Sequence, residues 1–109
     1  MNVRLYIWQR LTAAIMLPLA LAHIGVIFYA TRSGLSAAEI LGRTRGSFAW
    51  AAFYGLFVAA VAVHVPIGLR TALIEWTPLR ARHCNIAAVT FGMLLAVTGL
   101  RAIAAVVLP

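Results

Sequence analysis

Charge is scarce in this chain, and most of it has one sign. Only 10% of the 109 residues are charged; lysine and aspartate are absent, and nine arginines stand against Glu39 and Glu75, a formal net charge of +7. With 64% hydrophobic residues, so little polarity cannot cover a soluble domain of this size. Cysteine is equally scarce. Cys84 stands alone, which excludes an internal disulfide and a cysteine metal pair and leaves it as an inert helix-end residue. No internal repeat or low-complexity segment is present.

What the chain has instead is apolar length. Three runs, about residues 11–30, 48–69 and 84–108, each approach the roughly 20 residues that a bilayer crossing needs. They predict an all-α integral membrane protein with three transmembrane helices. One membrane domain then takes up residues 1–109, with no room for a soluble catalytic domain. The first run also fits a signal peptide, with Arg4 and Arg10 as its charged region and Ala20-Leu-Ala22 as a cleavage site; it is expected to be retained as a span.

The arginines gather near the ends of the runs, where they mark topology and meet lipid or partner chains; nucleic acid is not the expected partner. Arg4, Arg10, Arg70, Arg80 and Arg82 fall on one side, and Arg32, Arg43, Arg45 and Arg101 on the other. This slight bias favours a cytoplasmic N-terminus. Residues 1–10 mix aromatic and basic groups as an interfacial segment does, with Tyr6 and Trp8 at headgroup level.

In the first loop, residues 31–47, Ser36 and Glu39 have the spacing of a capping box and predict a short interfacial helix closed by Gly42. The second long helix is expected to run from Ser47 to Trp76 and end at Thr77-Pro78, with a basic loop from Leu79 to His83. Gly55 with Ala59, and Ala88 with Gly92 and Ala96, offer small faces for close helix packing.

Two histidines lie within the apolar runs, where an ionisable group points to function and an imidazole is a natural axial ligand for haem iron. His64 is followed one turn later by Gly68, leaving space for a flat macrocycle, and then by Arg70, a candidate partner for a haem propionate. With Arg10 and Arg70 taken as markers of one interface, His23 and His64 differ in depth by roughly 10 Å. That is too far for both to ligate one iron, so each needs an imidazole from another chain.

The run His64-Val-Pro-Ile-Gly68-Leu-Arg70, with Glu75 beyond it, resembles the segment His-x-x-x-Gly-[Ile/Leu]-Arg followed by an acid in the cytochrome b membrane-anchor subunit of succinate dehydrogenase and fumarate reductase. Gln9-Arg10-Leu-Thr12-Ala13 resembles that family's His/Gln-Arg-x-[Ser/Thr]-Gly signature. Motif order, length and number of spans agree as well, so the resemblance covers essentially the whole chain.

The resemblance implies half of a heterodimeric helical bundle holding haem. It puts the haem b ligand at His64 and the quinone pocket at Arg10, with Tyr6 in place of the family's serine and Thr12 at its Ser/Thr position. Ala13 replaces the usual glycine, and Thr71 a histidine that some members place near a propionate. His23 stands at the depth of the helix-one histidine of two-haem members, which makes it the candidate ligand of a second haem.

The implied partners are a flavoprotein subunit carrying FAD, an iron–sulfur subunit, and a second membrane anchor supplying the other haem ligand. The substrate of the membrane part is a quinone, in a bacterial-type inner membrane, and no dicarboxylate binds this chain. The alternatives are a haem-free quinone-binding anchor and a non-enzymatic assembly subunit. A small multidrug transporter is disfavoured, because that class has four spans and a glutamate inside the first.

Overall fold

Each apolar run becomes a helix longer than the run itself. The computed structural model describes residues 2–109. Its elements are α1 (Val3–Ser33), α2 (Ala37–Thr44), α3 (Phe48–Trp76) and α4 (Ala81–Val107), with no strand among the described residues. The three long helices, of 31, 29 and 27 residues, are each apolar enough to cross a membrane. At 1.5 Å per residue they measure about 40 to 47 Å, so their ends pass beyond a hydrocarbon core of about 30 Å.

Several boundaries differ from the sequence-based expectation. Of the expected interfacial segment 1–10, residues 3–10 form the first turns of α1 and residue 1 lies outside the described residues; the Asn2 side chain caps the helix by accepting from the Leu5 amide at 2.8 Å. The expected basic loop shortens to residues 77–80, since α4 already begins at Ala81 and carries Arg82 and His83. At α3 the structure agrees, with Ser47 as N-cap and the helix ending at Trp76 before Thr77-Pro78.

The capping box on α2 is formed in full. Ser36 Oγ accepts from the Glu39 amide at 3.2 Å, and the Glu39 carboxylate accepts from the Ser36 amide at 3.0 Å. Gly42 does not close α2; the helix continues to Thr44, and the left-handed turn falls at Gly46, with φ +72°. Thr44 and Gly46 then reach the far end of α4, where they donate to the carbonyls of Val106 and Val107.

α3 is the middle helix and packs against both α1 and α4. Its neighbours run antiparallel to it: Gln9 and Thr12 lie beside Gly68 and His64, and His23 beside Tyr54 and Phe57. On the other side Gly92 meets Pro66, and Gly99 meets Val58. The α3–α4 seam is lined by small residues of α4: Cys84 at 0% exposure, then Ala88 and Gly92 one and two turns on.

Pro66 uses that smallness, because its ring sits where a Gly92 Cβ would be. The Ala62 carbonyl, which the missing Pro66 N–H leaves without its helical partner, faces the same glycine. The other small face expected from sequence is not used among the described residues: Gly55 has nothing within 4 Å of an added Cβ, and Ala59 is exposed.

Candidate functional site

The motif residues of α1 and α3 converge at one level of the bundle. His64 is half-buried and its Nδ1 lies 3.1 Å from Oγ1 of Thr12, which is only 4% exposed. Both sit inside membrane-spanning helices, where an imidazole without a polar neighbour is costly. Thr12 Oγ1 also approaches the carbonyls of Trp8 and Gln9, at 2.7 and 3.2 Å. Thr12, which the family resemblance puts at the quinone pocket's Ser/Thr position, turns its hydroxyl toward the histidine.

Gln9 joins this level unannounced. Its amide Nε2 stands 3.1 Å from where a Gly68 Cβ would be, and its Oε1 is buried without a partner among the described residues. At Gly68, expected to leave space for a macrocycle, the Gln9 amide of α1 comes close to where a Cβ would stand. The glycine lets α1 and α3 approach. The usable signal was position: Gln9 precedes Arg10 in the first motif, three residues before Thr12 and thus on the same helix face.

Arg70 does not share the face of His64. Six residues along a helix turn it about 120° around the axis, toward α4, where its Nε donates to Asn85 Oδ1. Its Nη groups have no hydrogen-bond partner among the described residues. Thr71, half-buried, donates its hydroxyl proton to its own helix at the Ile67 carbonyl, 3.0 Å away.

Tyr6 and Arg10 are adjacent on α1, one turn apart and both exposed. The Arg10 guanidinium carbon lies 6.0 Å from the centroid of the Tyr6 ring, a cation–π distance. Together they present a phenol hydroxyl and a fixed positive charge at the end of the bundle that also carries Arg70, Arg80 and Arg82.

His23 is at a different depth. Its ring meets Phe57 and Tyr54 edge-on, with centroids 5.6 and 6.2 Å apart. It borders a cavity of about 180 Å³ shared with Arg43, Trp50 and Tyr54. The α3 residues beside it are seven to ten positions from His64, so the two imidazoles are separated by about 10 to 15 Å along the bundle. This agrees with the depth difference expected from the arginine markers.

No three of His, Cys, Asp and Glu come together among the described residues. A metal ion held only by protein side chains needs three or four such ligands. One imidazole per level suits a group that brings its own in-plane donors, as a porphyrin does.

The arrangement defines a class: a three-span integral membrane protein offering one anchored imidazole inside the bilayer and a Tyr–Arg pair at its edge. The chain belongs to the family of succinate dehydrogenase/fumarate reductase transmembrane subunits, whose description matches residues 1–100. As such a subunit it associates with catalytic subunits. No curated protein and no solved structure matches it significantly.

Proposed function

We propose that the chain is a cytochrome b membrane anchor of a succinate:quinone oxidoreductase, with His64 as an axial ligand of haem b. The observation that carries this reading is the state of His64: a histidine within a membrane span, tied through Nδ1 to Thr12, with no hydrogen bond at Nε2 among the described residues. The donor set fits haem b, which supplies one-electron transfer when bound. A second imidazole for the group would come from the other membrane anchor. Arg70, held through Nε by Asn85 on the α4 side, would offer its Nη groups to a propionate that reaches that side.

Quinone reduction falls to Arg10 and Tyr6. The guanidinium stabilises negative charge building on a quinone oxygen, and the phenol hydroxyl donates to a carbonyl. Electrons arrive from a flavoprotein through an iron–sulfur subunit docked at the same end of the bundle. The slight arginine bias favours a cytoplasmic N-terminus at that end, and a bacterial-type inner membrane is the setting that goes with this reading.

The deciding experiment is His64→Ala in the purified complex. Loss of the low-spin haem b spectrum is expected, and an unchanged spectrum rules His64 out as ligand. His23→Ala leaves the His64 haem in place, because the two residues share no ligand sphere. A haem count per flavin that falls from two to one in that variant assigns His23 a haem of its own.

A further inference from the structure

The contact between Thr12 and His64 has a direction that follows from counting protons. A threonine hydroxyl has one proton to give and lone pairs to accept with. Three groups crowd Thr12 Oγ1: the Trp8 carbonyl at 2.7 Å, the Gln9 carbonyl at 3.2 Å and His64 Nδ1 at 3.1 Å. Carbonyls only accept, so the shortest contact takes the hydroxyl proton, the usual habit of a threonine within a helix. The oxygen then faces Nδ1 with lone pairs, and only a protonated Nδ1 matches them.

We infer that Thr12 is a positioning residue for His64: it accepts from Nδ1–H, fixes that tautomer and the ring's orientation, and leaves the Nε2 lone pair free and turned away from α1. The burial of Thr12 supports a permanent role, since water cannot take the place of its hydroxyl. An acceptor on Nδ1–H makes Nε2 a stronger electron donor to a metal, as the partners of metal-bound histidines commonly do. A stronger donor favours ferric over ferrous iron, so Thr12 would hold the midpoint potential of a bound haem down.

This inference rests on the haem reading above, and the test separates the two. Thr12→Val, Thr12→Ser and His64→Ala are prepared in the assembled complex. The readouts are haem per flavin, the low-spin electron paramagnetic resonance signal and the midpoint potential. Thr12→Val keeps shape but loses the acceptor; it is expected to raise the potential and shift the low-spin signal, or to lose haem from an assembled complex. Thr12→Ser is expected to behave as the parent.

A Thr12→Val complex with full haem and the parent's potential and signal overturns the positioning role while leaving His64 as ligand. Failure of Thr12→Ser to restore the parent's properties overturns it too, because the hydroxyl would then not be the operative group. A haem spectrum that survives His64→Ala overturns the ligand assignment, and the role of Thr12 with it.

Discussion

Thr44 of α2 closes the far end of α4 by donating to the Val106 carbonyl at 2.6 Å. The carbonyls of a helix's last turn have no partner within the helix. The neighbouring Gly46 amide takes the Val107 carbonyl at 2.7 Å, and its left-handed backbone is the conformation that brings the amide there. Thr44 is only 5% exposed, so water does not substitute for its hydroxyl. The first loop is therefore a cap for the last helix.

Thr44→Val should weaken that cap with little change in volume. The expected loss is about 1 kcal/mol, the scale of a hydrogen bond at a partly buried helix end. Unfolding of the purified complex by SDS titration measures it, and Thr44→Ser should recover most of the loss. Equal stability of the valine and parent proteins would mean that Gly46 alone sustains the cap.

The two small faces read from sequence should respond in opposite ways. An added Cβ at Gly92 collides with the stiff Pro66 ring, whereas at Gly55 it enters open space. Gly92→Ala is thus expected to destabilise α3–α4 packing by about 1 to 3 kcal/mol, while Gly55→Ala stays within about 0.5 kcal/mol of the parent. The same SDS titration distinguishes them. Comparable losses at both sites would show that a partner chain packs on Gly55 as tightly as Pro66 packs on Gly92.

This contrast shows what was legible in the sequence. Hydropathy revealed the three spans, because apolar length is a property of the chain itself. Local side-chain chemistry revealed the Ser36–Glu39 box, whose partners lie within three residues. Contacts that depend on helix register stayed hidden. Nothing local tells that Gly92 meets a neighbour and Gly55 does not, that Gln9 approaches Gly68, or that Thr12 faces His64. Gly42 misled because a glycine stops a helix only where the backbone turns left-handed, and that turn waits until Gly46.

Glu39 offers a pH test of the capping box. Hydrogen bonds from Ser36, chiefly from its hydroxyl, lower the carboxyl pKa below its ordinary value of 4.5, with a smaller contribution from Arg43. A depressed folded-state pKa means that the stabilisation is present above the unfolded value and is lost as pH falls through the folded one. The Ser36 amide resonance, followed by NMR in detergent, should titrate with a midpoint below 4.5. A midpoint at or above that value would show that the box does not favour the ionised carboxylate.

Arg10 tests the quinone end of the proposed function. Its guanidinium and the Tyr6 ring form an exposed pair beside the level where Thr12 meets His64, two residues further into α1. Arg10→Leu keeps the apolar stem and removes the charge, so helix packing should persist while charge stabilisation on the quinone is lost. Quinone reduction is expected to slow by roughly 100- to 1,000-fold, the scale for losing one strong donor to a developing negative charge. Succinate oxidation coupled to an artificial dye bypasses the membrane site and should hold its rate. Both rates are measured on the same preparation, with haem content as the control for assembly. A parallel fall in both would place the defect in subunit docking, and Arg10 would then be an anchor for the catalytic subunits and not a quinone ligand.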